Sequence, residues 1–360
     1  MGKKKTEEEQ EDEEPIIEYF EMTEEGDEVT PMEIVMPTPV PVGEEAPFVD
    51  TKDIERVWQQ IKDELGKVVV GKIDIIESLF IALLSGGHVL MEGVPGIAKT
   101  WTANNFSNTL GCEFKRIQFT PDLLPSDILG TNVYDPKSGT FNIRHGPIFA
   151  NIILADEINR APPKTQSAML ECMQETQVSI EGVTYPLTPP FIVLATQNPI
   201  ELEGTYPLAE AAQDRFLLKV LLEFPNPEEE AQVIRIKHER KYSGVKKVTS
   251  PKTITEMQKT VDEIYISDEL IKYIRDIIVR TRRDPRCLSG CSPRGSLTLL
   301  KVSKAHAAIR GRDYVVPDDI RKYATWALHH RLILKPEAEL EGVTQVRVIE
   351  EIINDTPVPS

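Results

Sequence analysis

Gly93-Val94-Pro95-Gly96-Ile97-Ala98-Lys99-Thr100 decides how this chain is read. The apolar run His88-Val89-Leu90-Met91-Glu92 precedes it, giving strand, glycine-rich turn, lysine, hydroxyl and then helix. That order suits a polyphosphate. Glycines let backbone N–H groups curl around phosphate oxygens, and the helix that follows points its positive dipole end at them. Lys99 then reaches the β- and γ-phosphates of ATP, and the Thr100 hydroxyl offers an oxygen to Mg²⁺. Gly93, Val94, Pro95, Gly96, Ile97, Ala98, Lys99 and Thr100 are the candidate ATP-binding residues. Ala98 stands where the general pattern has its second glycine, and an alanine there predicts negative φ. The competing reading is a plain strand-to-helix turn.

Outward from the loop, residues 53–65 and 73–84 carry apolar positions at helical spacing, the second stretch running into Ser85-Gly86-Gly87. Downstream, the apolar runs 114–119, 151–155 and 191–195 read as buried parallel strands. Strands alternating with helices predict an α/β fold, a parallel sheet sandwiched by helices with the nucleotide at the carboxyl ends of its strands. Two stretches break the alternation. Residues 130–143, around Asp135-Pro136-Lys137-Ser138-Gly139, and residues 178–187, turning at Glu181-Gly182, each read as a β-hairpin insertion. Beyond Pro225 the strand patterns stop and helical ones run to about residue 334, with a short last helix over 346–353. The chain divides into a tail (1–50), a nucleotide-binding core (51–224) and an all-helical lid domain (225–360).

Further chemistry sits at strand ends. Ile152-Ile153-Leu154-Ala155-Asp156-Glu157 places two carboxylates after a buried run. Asp156 is the candidate Mg²⁺ ligand opposite Thr100, and Glu157 the group that polarises the attacking water. Asn198, ending the next run, supplies an amide to bridge Glu157 and that water, or merely starts a turn with Pro199. Arg215 follows a polar, alanine-rich helix and cannot easily bend back to its own loop. It reads as a cation supplied to a neighbouring subunit, against the alternative of a plain surface charge. Ser292-Pro293-Arg294 opens a helix of the lid, Ser292 as N-cap and Pro293 in the first turn. Arg294 is the candidate reporter of the γ-phosphate.

These elements, in this order, resemble the AAA+ ATPases and, more closely, the MoxR family. The likeness rests on Gly93-Val94-Pro95-Gly96 with Ala98-Lys99-Thr100, on the run from Arg116 to Asp127, and on Asp156-Glu157-Ile158-Asn159-Arg160-Ala161. Gln197-Asn198-Pro199, Gly204-Thr205-Tyr206-Pro207 and Arg310-Gly311-Arg312-Asp313-Tyr314 continue it. The resemblance covers about residues 57–359, and Ala98 is usual in that family. It implies an AAA+ core with two inserted hairpins and Mg-dependent ATP hydrolysis in a homo-oligomeric ring, usually a hexamer. It also implies a chaperone-like role in metal insertion or complex maturation, with a von Willebrand factor A domain partner and a protein client. Val70 and Gly71 join the nucleotide-binding set.

Composition bounds the alternatives. The net charge is −17, and residues 1–45 carry 16 acidic and 3 basic side chains, so the tail supplies most of the excess. It reads as solvated and disordered, with Ile16-Ile17 and Tyr19-Phe20 as possible docking islands. Met1-Gly2-Lys3-Lys4-Lys5-Thr6 formally fits a myristoylation signal. The remainder lacks a long basic run, which argues against dedicated nucleic acid binding. A DNA-translocating motor with the same hairpins would want cations at their tips, where Lys137 is one but Glu181 is not. A nucleotide-gated scaffold would not need the full set of Lys99, Asp156, Glu157, Asn198 and Arg215. No apolar run reaches bilayer length or resembles a secretion signal. The four scattered cysteines read as free thiols of a cytoplasmic protein, with Cys287 and Cys291 close enough for a redox pair as the alternative.

Overall fold

The computed structural model describes residues 49–94, 96–137, 139–199, 204–238 and 244–359. The expectations for the tail before Val49 and for Pro95 lie outside the described residues. The chain opens with two helices, α1 (Thr51–Leu65) and α2 (Ile73–Leu84). Asp50 caps α1 by accepting from the Asp53 N–H at 2.8 Å, and Ile54, Trp58, Ile61 and Leu65 recur on its buried face. Trp58 stacks on Phe80 of α2 with ring centroids 5.7 Å apart. Then follow β1 (Val89–Gly93), α3 (Lys99–Leu110), β2 (Phe114–Gln118), α4 (Pro125–Leu129), β3 (Gly130–Asp135) and β4 (Thr140–His145). The core continues through β5 (Ile152–Asp156), α5 (Pro163–Glu175), β6 (Gln177–Ile180), β7 (Val183–Pro186), β8 (Ile192–Gln197), α6 (Glu210–Gln213) and β9 (Leu218–Leu222).

Five strands form a parallel sheet in the order β2-β5-β8-β1-β9. Its side chains alternate between two cores, as the pleat requires. Val89, Met91, Ile152 and Leu154 join the cluster under α1, α2, α3 and the C-terminal helices. Leu90, Ile153 and Ala155 join the cluster under α5 and the hairpins. The sheet is therefore covered on both faces. β1 lies between β8 and β9, so the strand order reverses there, and the crevice at the carboxyl end of β1 opens where the phosphate loop begins.

Two sheet features differ from the sequence reading. β2 is an edge strand with Lys115 and Arg116 exposed, so the run 114–119 is buried on one side only. β9 is an additional strand that the reading did not assign. Its interior cation, Lys219, is satisfied by an ion pair with Glu92 of β1 at 2.7 Å. β9 also explains Gly93, since a Cβ there would lie 2.8 Å from the Leu222 carbonyl oxygen.

Both predicted hairpins form. β3 and β4 pair from Gly130↔His145 to Asp135↔Thr140, and β6 and β7 from Gln177↔Pro186 to Ile180↔Val183. Asn132 donates to Glu181 at 2.5 Å, tying one hairpin to the other.

The C-terminal part comprises α7 (Pro227–His238), α8 (Pro251–Asp262), α9 (Asp268–Arg283), β10 (Cys287–Ser289), α10 (Pro293–Ile309), α11 (Pro317–Leu328), β11 (Ile333–Leu334), α12 (Pro336–Leu340) and α13 (Gln345–Asp355). The short antiparallel ribbon β10–β11 departs from helix alone. A buried polar network fastens this part to the core. Glu77 of α2 accepts from Tyr323 at 2.6 Å and Arg310 at 3.2 Å, while Asp319 accepts from Arg312 and pairs with His306 at 2.6 Å. The four cysteines are free thiols, and burial pushes Cys287 up to about 11 and Cys291 up to about 12. No helix among the described residues is long and apolar enough to cross a membrane.

Candidate nucleotide site and arginine cleft

The loop after β1 turns twice through left-handed backbone, at Gly96 (φ 87°) and at Ala98 (φ 63°). The negative φ expected for Ala98 is therefore wrong. The chain must reverse into α3 within one residue of Lys99, and that reversal fixes Ala98 in the conformation glycine would take more cheaply. A β-carbon there costs about 1–2 kcal/mol. α3 has no side-chain cap at its N-terminus, and its first intrahelical bond is Thr102 N–H to the Ala98 carbonyl at 2.9 Å. Its leading N–H groups face the loop, the arrangement that takes an anion. Thr100 sits in that first turn.

Lys99 donates to the Gly93 carbonyl at 2.6 Å. Burial holds its ammonium below the usual lysine pKa, while the carboxylates of Asp156, Glu157 and Glu92 pull the other way. The loop lysine and both strand-end carboxylates thus share one electrostatic environment.

Asp156 and Glu157 are held by groups the sequence reading did not assign. Thr196 of β8 donates to Asp156 Oδ1 at 2.6 Å and accepts the Glu157 N–H at 2.8 Å. Arg116 of the edge strand donates to Asp156 Oδ2 through Nε at 3.0 Å and Nη2 at 2.8 Å. Gln118, two residues on, donates to Glu157 Oε2 at 2.8 Å, and Arg160 reaches the same oxygen at 3.1 Å. Alternation along β2 puts 116 and 118 on one side of the strand, and the parallel register sets Gln118 against Asp156. The pattern was visible in Arg116-Ile117-Gln118, but only the strand pairing says what it faces. Glu157 itself has φ 58°, a strained conformation for a non-glycine residue and one that recurs at functional sites. Asn198 is buried one residue past β8, between the strand that carries Asp156 and the strand that feeds the loop.

Beside the loop lies a cavity of about 600 Å³. Val68, Val70, Ile97, Trp101 and Val233 give it apolar walls, and Gly96 and Ala98 open onto it. Size and lining fit a planar base next to a phosphate cradle. Val70 is part of the wall. Gly71 (φ 67°) turns against α7 instead, where a Cβ would fall 1.9 Å from Glu229 Oε1. The donor set offered to a cation, the Thr100 hydroxyl and the Asp156 carboxylate, is the hard-oxygen kind that Mg²⁺ takes.

Arg215 and Arg294 lie elsewhere. Both are exposed, and together they line a second cleft of about 220 Å³ with Gly87, His88, Asp214 and Arg331. Neither lines the cavity beside the loop. Ser292 caps α10 as expected, accepting from the Arg294 N–H at 3.2 Å. His88, at the cleft's floor, is locked as the neutral ring. Its Nδ1 accepts from the Val193 N–H at 3.0 Å, so Nε2 carries the proton donated to the Met173 carbonyl at 2.8 Å. Burial lowers its pKa to about 4.

A phosphate loop, paired strand-end carboxylates, a polar residue past the neighbouring strand and a helical lid define an ATPase of the AAA+ class. The family profile for the ATPase family associated with various cellular activities (AAA) matches residues 88–218, and the AAA lid domain profile matches residues 279–352. The chain is 43% identical to the uncharacterised protein YeaC of Bacillus subtilis over 86% of its length and 97% of that protein's. It is 40% identical to chaperone MoxR1 of Mycobacterium tuberculosis, covering 89% of this chain and 86% of that one. A crystal structure from Cytophaga hutchinsonii, described as a proposed ATPase, superposes with a TM-score of 0.81 at 44% identity, covering 86% of this chain and 97% of that one. The chain belongs to the MoxR family of AAA+ ATPases.

Proposed function

We propose that this chain hydrolyses Mg²⁺-ATP in a homo-oligomeric ring, a hexamer, and uses the cycle to remodel a protein client in metal insertion or complex maturation. One observation carries the reading. Lys99 of the phosphate loop shares its electrostatic environment with Asp156 and Glu157, the two exposed arginines line a separate cleft, and neither arginine lines the cavity beside the loop. A complete site then needs two subunits, with Arg215 and Arg294 of one facing the loop of the next.

In this scheme Gly96, Ala98 and the first turn of α3 bind the phosphates, and Lys99 leaves the Gly93 carbonyl for the β- and γ-oxygens. Thr100 and Asp156 would hold Mg²⁺, which would supply positive charge to the transferring phosphoryl group. Asp156 Oδ2 is taken by Arg116 and would have to be released for that role. Glu157 takes the proton of the attacking water, and Asn198 orients that water. Gln118 and Arg160 hold the Glu157 carboxylate at rest. The remodelling role draws on the chaperone name of the mycobacterial relative and on the two linked hairpins, the first of which exposes Tyr134 and Phe141. A von Willebrand factor A domain protein is the proposed partner, and free thiols fit the reducing cytoplasm.

The test is turnover of the assembled protein with and without DNA. The expected result is Mg-dependent hydrolysis that DNA leaves unchanged. Stimulation by DNA would replace the chaperone reading with a DNA-translocating motor, and no turnover would replace it with a nucleotide-gated scaffold.

A further inference from the structure

Arg331 lies just beyond α11, with its side chain only 3% exposed. A buried guanidinium needs a strong reason to persist, because its desolvation must be offset by specific partners. Nη1 turns back to the Ala327 carbonyl of α11 and to His330, while Nε and Nη2 reach toward Arg215. Nε donates to Asp214 Oδ1 at 2.8 Å, and Nη2 donates to the carbonyls of Asp214 at 3.1 Å and Phe216 at 2.8 Å. These two carbonyls bracket Arg215. The Arg215 backbone is thus pinned on both sides while its side chain stays exposed in the cleft.

The same carboxylate reaches the second arginine. Asp214 Oδ2 accepts from Ser292 Oγ at 3.0 Å, and Ser292 Oγ in turn accepts from the Arg294 N–H at 3.2 Å. Arg331 Nη2 also donates to Thr298 Oγ1 of α10, the helix that Arg294 opens, at 3.2 Å. One ion pair, its arginine buried and its carboxylate half-buried, therefore fixes the backbone at Arg215 and the start of the helix bearing Arg294. These segments are far apart in sequence and come from the core and the lid.

We infer that Arg331, through Asp214, is a positioning residue that presents Arg215 and Arg294 as one rigid pair to the nucleotide of the adjacent subunit. A tie between core and lid alone would not need donors on both carbonyls around Arg215. It would not need the second Asp214 oxygen on the cap of Arg294's helix either. The inference rests on the reading that Arg215 acts across a subunit boundary.

The test uses full-length protein and mixed rings. Arg331→Lys keeps the charge but loses the planar fork. Asp214→Asn provides a second variant should the first fail to fold. Each alone should lose tenfold to a hundredfold in kcat, about what loss of an orienting partner costs a functional group. KM for ATP and binding of a fluorescent ATP analogue should stay within about twofold of wild type. Each is then mixed in equal amounts with Glu157→Gln subunits. Interfaces where an intact Glu157 meets intact arginines should restore activity to about a quarter of wild type, as random placement around a head-to-tail ring gives. Arg215→Ala mixed with Glu157→Gln serves as the reference. If the reference recovers and neither the Arg331→Lys nor the Asp214→Asn mixture does, the inference is overturned and the shared-site reading stands. If the reference also fails, the shared-site reading falls and the inference with it. Wild-type turnover of Arg331→Lys alone would likewise overturn it.

Discussion

The phosphate side of the molecule takes its chemistry from two short runs, 93–100 and 156–157, each at the carboxyl end of a strand in one sheet. The arginine side gathers Asp214 and Arg215, Ser292 and Arg294, and Arg331 from three distant places, joined by one half-buried carboxylate. The first is built by local backbone geometry: a glycine-rich reversal, an uncapped helix start and parallel strand ends. The second is built by tertiary packing of lid on core. Local geometry is cheap to encode as a motif, whereas a packed junction leaves only scattered charged residues in the sequence. The difference also has a mechanical meaning. In the proposed scheme, binding proceeds on the phosphate side, while completion of the site depends on how the lid junction meets a neighbour.

The comparison breaks most clearly at Arg215. Arg215→Ala should leave ATP affinity unchanged and lower turnover by about 10³–10⁵, the effect of an arginine finger, or roughly 4–7 kcal/mol of barrier. Fluorescent-nucleotide binding beside steady-state hydrolysis checks it, and equal turnover in mutant and wild type would remove the arginine from the mechanism. Glu157→Gln comes next, on the other side of the divide. It should bind ATP, assemble and lose on the order of 10²–10⁴ in rate, the contribution of a positioned general base. Undiminished phosphate release would count against Glu157.

Acid should loosen the arginine side first. His88 and His330 line or adjoin the cleft, and burial lowers the first to about 4 and the second well below its ordinary value. Their folded pKa values lie below the unfolded value, so the unfolded chain binds more protons as pH falls. The stability from keeping His88 neutral is complete above about pH 6.5 and is lost between there and about 4, and His330 acts in the same direction. From pH 7 to pH 5, His88 alone should cost on the order of 2 kcal/mol, read as a lower urea midpoint. A midpoint unchanged over that range contradicts the buried neutral assignment.

The smallest effect belongs to the loop itself. Ala98→Gly removes the left-handed strain but frees the unfolded chain, so the net gain should be below about 1 kcal/mol. A loss of stability in thermal unfolding would show that the alanine methyl packs usefully.

Much of the phosphate side was legible from residue order alone: the loop, the carboxylates, both hairpins and the first two helices. What escaped was decided by neighbours in space. β9 goes unassigned in the sequence, and only the structure shows Glu92 neutralising Lys219 within it. The run at 114–119 looks buried until its place at the sheet edge exposes Lys115 and Arg116. Ala98 takes positive φ because the turn into α3 demands it, whatever the side chain prefers. Arg331 carries no motif at all, and its meaning comes only from the carbonyls around Arg215. Arg294 was placed correctly at a helix start, but its company with Arg215 in one cleft required the packed lid.

The central claim is that one ATP site is completed by two subunits, and dilution tests it most directly. Wild-type hydrolysis per subunit should be measured at saturating Mg²⁺-ATP across protein concentrations that span assembly, with molar mass followed by analytical ultracentrifugation. The account predicts that turnover per subunit rises with the assembled fraction and falls to near zero for monomer that still binds ATP. Constant turnover per subunit down to fully dissociated monomer would contradict it.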